Sequence, residues 1–227
     1  MALIEVCNLV KTYLEAASPV HVLDGVNMQV ESGRMVGITG ESGAGKTTLL
    51  YLLGALERPT SGNVLFDGRE VFPPGIDDRE LAQFRNRRIG FVFQFHGLIP
   101  EFDVLENTMM PALIAGYSQE EAAQMARRSL EELGLGERLD HKPGEISGGE
   151  QQRVAFARAM IMQPEVVLAD EPTGNLDEET SEKLWQVMFD INQSKGTTFV
   201  VVTHNERLAK RMDFIYRLSL GHVERIA

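Results

Sequence analysis

The chain has 227 residues, of which 43% are hydrophobic and 24% charged, enough apolar material for one globular domain with a sizeable core. Its 22 Lys and Arg stand against 33 Asp and Glu, giving a net charge of −11. That balance argues against a general nucleic-acid binder, which needs a basic footprint. The single cysteine, Cys7, excludes an internal disulfide and fits a reducing compartment. The start of the chain has no signal-peptide pattern, since Glu5 interrupts the apolar run. No stretch approaches the roughly 18 apolar residues of a spanning helix.

In chain order, residues 3–10 and 20–30 read as strands. Met35-Val36-Gly37-Ile38-Thr39 is a short apolar strand that runs into a glycine-rich loop, and residues 47–56 then take a helical pattern with Leu49, Leu50, Leu52 and Leu53. Residues 63–72 read as β-structure with a turn at Asp67-Gly68. Residues 77–87 read as a helix; Arg85, Arg87 and Arg88 at its end form a solvated face, with anion binding as the sharper alternative. Residues 89–93 form a strand that ends at Gln94, and a loop runs on to about Val104. Ser118 and Glu121 have capping-box spacing. The helix that they open carries the stripe Ala122, Met125, Ala126, Leu130 and Leu133 and stops at Gly134. A second helix follows Ser147 to about Met162. Residues 166–169 form a buried strand ending in Asp170-Glu171, a helix follows Asp177, residues 198–203 form another buried strand, and short strands surround Gly221. Apolar strands alternating with helices predict an α/β fold with a mostly parallel sheet covered on both faces. The polar residues of interest fall at the C-terminal ends of those strands, where such sheets bind ligands.

The loop Gly40-Glu41-Ser42-Gly43-Ala44-Gly45-Lys46-Thr47 matches G-x-x-x-x-G-K-[ST]. Its glycines let backbone amides converge on phosphates, and the following helix adds its positive end. Lys46 is placed for the β- and γ-phosphates of ATP and Thr47 for Mg²⁺. Thr48 extends the same cradle. Asp170 is placed to hold the Mg²⁺ shell and Glu171 to orient or deprotonate a water. In Ser147-Gly148-Gly149-Glu150-Gln151, a capping box explains the Ser and the Glu. The two glycines weaken a helix start but suit a phosphate approaching the backbone. One γ-phosphate cannot occupy two such sites on one chain unless both line the same cavity.

Taken together, the phosphate loop, Gln94, Ile146 to Arg153, Val166 to Glu171, Asn175-Leu176-Asp177 and His204 resemble the motif set of ATP-binding cassette (ABC) ATPases, in that family's order and over most of the chain. The resemblance implies a P-loop NTPase with a RecA-like core, an antiparallel β subdomain and an inserted α-helical subdomain. It divides a single domain of residues 1–227 into a core of about 1–93 and 163–227 and a helical part of about 94–162. It implies head-to-tail pairing with a second copy, in which Ser147, Gly148, Gly149 and Gln151 close over the partner's nucleotide. It also assigns Mg²⁺ sensing and a link to the membrane partner to Gln94, γ-phosphate contact to His204, a dimer contact to Asp177, and stacking on adenine to Tyr13.

A narrower resemblance lies in Gln94-Phe95-His96-Gly97-Leu98-Ile99-Pro100-Glu101-Phe102, continuing to Leu105-Glu106-Asn107, which is similar to the ATPases of lipoprotein-releasing transporters, the LolD family. It implies a peripheral protein on the cytoplasmic face of the inner membrane, bound to two integral membrane permease subunits through the loop after Gln94. Macrolide-export and cell-division ATPases share most of these motifs and stay open as alternatives. Ile146, Asn205 and Leu220 depart from the commonest residues at their positions. Phe95, Leu98, Ile99 and Phe102 make an apolar loop, which packs either on the chain's own helices or on a partner.

Overall fold

The computed structural model describes residues 2–14 and 18–226. The chain divides into two compact units. The first contains residues up to Leu81 together with those from Thr198 on, and the second spans Ala82–Thr197.

In the first unit, β1 (Ala2–Leu14) and β2 (Pro19–Glu31) form a long antiparallel pair, and β4 (Ser61–Phe66) and β5 (Arg69–Glu70) extend it in the order β2-β1-β4-β5. The β4–β5 turn is Asp67-Gly68, with φ of 52° and 72°, the two left-handed residues of a tight hairpin. A separate run of strands contains β3 (Met35–Thr39), which lies parallel to both β8 (Thr198–Val202) and β9 (Phe214–Ser219), while β10 (His222–Arg225) closes against β9 antiparallel. Every residue of β8 is buried, as are the first four of β3, which is why both read as continuous apolar runs. Helix α1 (Lys46–Leu53) packs on β8 and buries Leu49, Leu50, Leu52 and Leu53 completely. A short helix, α7 (Glu206–Ala209), follows β8.

Helix α2 (Asp78–Arg88) carries the chain into the second unit. There β6 (Ile89–Val92) lies parallel to β7 (Val166–Asp170), Gly90 opposite Val167. Around them run α3 (Val104–Ile114), α4 (Gln119–Glu132), α5 (Gly148–Met160) and α6 (Glu178–Lys195). One cluster joins Val104, Leu130, Leu135, Leu139, Ile146, Val154 and Ala157, and a second joins Met109, Ala112, Ala122, Ala126 and Ile161. The expected stripe of α4 is thus present, although Met125 and Leu133 are only partly buried. Helix α3 begins where the expected loop ends and fills a stretch before Ser118 to which the sequence reading assigns no element. Asp103 accepts from the Glu106 amide at 2.7 Å and Glu106 answers the Asp103 amide at 3.0 Å, so a full capping box nucleates a helix that tolerates Pro111 in its interior. No helix among the described residues is long and apolar enough to cross a membrane.

Candidate functional site

In the first unit the glycine-rich loop leaves β3 at Thr39 and enters α1 through Gly45, whose φ is 99°. A side chain there is strained by the left-handed backbone, and its Cβ would lie 2.7 Å from Val22 Cγ1. The Lys46 side chain folds back across the loop and donates to the carbonyls of Gly40 at 2.9 Å and Glu41 at 2.8 Å. It is only 8% exposed. No side chain caps α1, and its first turn holds no acid. The other long helices differ. Asp77 caps α2, Asp103 caps α3, Ser118 caps α4, Ser147 caps α5 and Asp177 caps α6. A helix start without a side-chain cap, with a positive dipole and a buried ammonium beside it, suits a phosphate group. The residues present therefore fit the nucleotide that the motif implies.

Tyr13 stands near the end of β1 and is held by its phenol, which donates to Glu57 Oε2 at 2.6 Å. Lys11 Nζ lies 3.0 Å from the same oxygen and 4.8 Å from the centre of the Tyr13 ring. Burial, then the bond to Glu57, pushes the phenol above its usual pKa, and the Thr48 hydroxyl lies within hydrogen-bonding reach of it. The first unit thus brings Tyr13 to α1. His204 is exposed and follows β8, where the Thr203 amide donates to Ile38 O at 3.1 Å. This puts His204 beyond the end of the strand next to β3. Asn205 caps the start of α7: its Oδ1 accepts from the amides of Arg207 and Leu208 at 3.1 and 3.2 Å.

In the second unit Gln94 and Asp170-Glu171 leave the ends of the neighbouring parallel strands β6 and β7. Asn175 Nδ2 donates to Gln94 O at 3.2 Å. A Cβ on Gly174 would sit 3.2 Å from Gln94 Nε2 and 3.5 Å from Glu171 Cβ, so this unit gathers Gln94, Glu171 and the turn after it. Glu171 is buried and takes a φ of 47°. Such strain in a residue with a Cβ costs about 1–3 kcal/mol and clusters at functional sites. Thr47, Gln94 and Asp170 offer oxygen ligands, the donor type that Mg²⁺ takes.

At the start of α5 the capping box forms in full. Glu150 Oε2 accepts from the Ser147 amide and hydroxyl, both at 2.8 Å, and the Glu150 amide donates to Ser147 Oγ at 3.3 Å. Those bonds, with Arg138 Nε 3.0 Å from Glu150 Oε1, draw the Glu150 pKa down to about 2. The two glycines have different reasons. Gly148 has open space where a Cβ would project, whereas a Cβ on Gly149 would run into the Thr180 methyl. Thr180 itself is fixed by Asp177, which accepts from its amide at 2.9 Å and its hydroxyl at 2.6 Å. The starts of α5 and α6 therefore interlock.

The apolar residues of the loop after Gln94 differ in burial. Leu98 packs on the helical core, while Phe95 is 75% exposed. Sequence reasoning missed what holds this loop. Buried Asn107 spans it, accepting from the Ile99 amide at 2.7 Å and donating to the carbonyls of Ile99 and Phe102. Gln152 and Arg158 bind its earlier part. A polar residue placed among apolar helix positions was the only sign of them.

A family model described as "ABC transporter" matches residues 23–174. The lipoprotein-releasing system ATP-binding protein LolD of Syntrophus aciditrophicus (strain SB) is 54% identical over 221 residues, 97% of this chain and 98% of that protein. Among solved structures, the dimeric structure of MJ0796, a bacterial ABC transporter cassette, aligns with a TM-score of 0.89 at 41% identity, covering 98% of this chain and 97% of that one. A dimeric post-hydrolysis state of the same cassette, bound to ADP and Pi, aligns with a TM-score of 0.89 at 40% identity over 98% and 97% of the two chains. With a phosphate loop opening an uncapped helix and full-length likeness to such cassettes, the chain has the P-loop NTPase fold and belongs to the ABC transporter family of ATP-binding subunits, of the LolD type.

Proposed function

We propose that this chain is the ATP-binding and ATP-hydrolysing subunit of a lipoprotein-releasing ABC transporter. It works on the cytoplasmic face of the inner membrane as a peripheral protein, paired with a second copy and with two integral membrane subunits. The observation that carries the ATP reading is the start of α1, the one long helix among the described residues left without a side-chain cap, with Lys46 folded beside it. The cargo rests on the 54% identity to a LolD protein, and the pairing on the dimeric form of the related cassette.

Residues 40–48 hold the phosphates, with Lys46 on the β- and γ-phosphates, and Tyr13 stacks on the adenine. Thr47, Gln94 and Asp170 would hold Mg²⁺, which neutralises phosphate charge when bound. Glu171 orients the attacking water and takes its proton. His204 contacts the γ-phosphate. Ser147, Gly148, Gly149 and Gln151 serve the nucleotide held by the second copy, and Asp177 lies in the dimer contact. The division of labour into a core of about 1–93 and 163–227 and a helical part of about 94–162 belongs to the same reading.

The assembled complex in proteoliposomes tests it. ATP should drive release of a lipoprotein to a soluble carrier. Hydrolysis without release would sink the cargo reading. Glu171→Gln should lower the hydrolysis rate by roughly 100- to 10,000-fold, the range for loss of a general base, while filter binding of ATP stays near wild type. Wild-type turnover in that variant would remove Glu171 from the mechanism.

A further inference from the structure

Two side chains of α5 hold the backbone on either side of Gln94 and Phe95. On the near side, Gln152 Nε2 donates to Phe93 O at 3.0 Å. On the far side, the Arg158 guanidinium forks onto two successive carbonyls, Nη2 to His96 O at 2.7 Å and Nη1 to Gly97 O at 2.8 Å. The Gln151 side chain also reaches the His96 imidazole. Gln151, Ala155 and Arg158 fall at i, i+4 and i+7, one stripe of the helix. Beyond Gly97, Asn107 holds Ile99 and Phe102. Between the two clamps stand Gln94 and Phe95 alone, and Phe95 is the most exposed aromatic residue of the described chain.

Loop carbonyls ordinarily turn to water. Here side chains of α5, the helix capped by Ser147, answer those of Phe93, His96 and Gly97, while Asn175 answers Gln94 and Asn107 of α3 answers Ile99 and Phe102. Helices are stiff along their axis, so a displacement at Arg158 is carried to the other end of α5. The fork matters, because a guanidinium fixes two acceptors in one plane and a lysine ammonium acts as a point donor.

We propose that Arg158 is a positioning residue that, with Gln152, straps the loop bearing Gln94 and Phe95 to α5, so that a push on Phe95 moves residues 147–151 with it. The source of that push, a membrane subunit seated on Phe95, rests on the transporter reading above; the strap does not. It gives the nucleotide-facing start of α5 and the exposed Phe95 a shared rigid body.

Hydrogen–deuterium exchange on the isolated chain tests the strap directly. In Arg158→Met, which keeps the apolar stem, exchange at the amides of residues 95–98 should quicken by about tenfold or more, about tenfold being the lower end for losing one charge-assisted bond. Exchange within α5 should hold at the wild-type rate. Arg158→Lys should fall between the two. In the assembled transporter, Arg158→Met should lower kcat about tenfold and leave KM within about twofold, because the phosphate loop is untouched. Phe95→Ala should slow partner-stimulated hydrolysis in the wild-type background and add nothing in Arg158→Met. Equal loosening of α5 and the loop would mean a purely structural residue and would overturn the proposal, as would unchanged exchange, a Lys variant equal to wild type, or additive effects of the two substitutions. Should Arg158→Met fail to fold, Gln152→Leu tests the near clamp by the same exchange. A wild-type complex that hydrolyses ATP without releasing lipoprotein would fail the transporter reading while leaving the exchange result standing.

Discussion

Two helices in this chain start from glycine-rich segments, and they start differently. Helix α1 enters through Gly45 with no side-chain cap and no acid in its first turn. Helix α5 enters through Ser147 in a closed capping box, with Glu150 bonded to the Ser147 amide and hydroxyl. From sequence both invite a phosphate. What a helix start offers an anion depends on whether its first-turn amides have already been answered. At α1 no side chain caps them. At α5 the chain's own side chains take part of the offer, and an approaching anion meets the Glu150 carboxylate. The α5 start is thus the weaker anion site of the two on its own. That suits a surface which meets a nucleotide already held elsewhere and needs a second copy to bring one.

The largest test breaks the stronger side. Lys46→Ala removes a buried ammonium from beside the open helix start. Charge-assisted bonds contribute about 1.5–3 kcal/mol each, so ATP affinity should fall by roughly 100-fold or more in isothermal titration. Retained affinity would mean that the loop amides alone carry the phosphates. The next test breaks the weaker side. Ser147→Arg puts a long side chain at the start of α5, and its bulk should abolish hydrolysis by the paired form while the monomer binds ATP as wild type does. Loss of monomer binding would mean that residues 147–151 act on their own chain's nucleotide, and the contrast between the two starts would collapse.

The same pair of helices shows how much the sequence could tell. The G-x-x-x-x-G-K-T spacing carries its geometry with it, since strand, loop and helix are consecutive. The boxes at Ser118–Glu121 and Ser147–Glu150 are also local, and both form. Strand ends proved readable because β3, β7 and β8 are buried on both faces. Helix α3 had no reading in the sequence, although Asp103 and Glu106 carry box spacing there; Pro111 sits inside it. The two glycines of residues 147–151 look equivalent in sequence, and only packing against Thr180 separates Gly149 from Gly148. Asn107, Gln152 and Arg158 were illegible for a plainer reason. Gln152 and Arg158 bond backbone carbonyls about sixty positions away, and a carbonyl acceptor leaves no mark on the identity of its residue.

The smallest test sharpens the contrast by titration. Glu150 is held down to about 2 from an ordinary 4.5 by its bonds to Ser147 and the nearby Arg138. A depressed carboxyl pKa stabilises the fold above the unfolded value, and that stabilisation is lost as pH falls toward the folded one. Glu150→Gln keeps a hydrogen-bonding residue at the third helical position, which still permits a capping box, but removes the charge. The gap in urea midpoint between wild type and variant should therefore be widest at neutral pH and close steadily between about 4.5 and 2. Other lowered carboxyls, Glu121 and Asp177 among them, titrate alike in both proteins and cancel in the difference. A gap that stays constant through this window would mean that the charge adds nothing to the α5 cap. ATP affinity of the monomer should be the same in both proteins, because the helix start proposed to bind it is the one without a box.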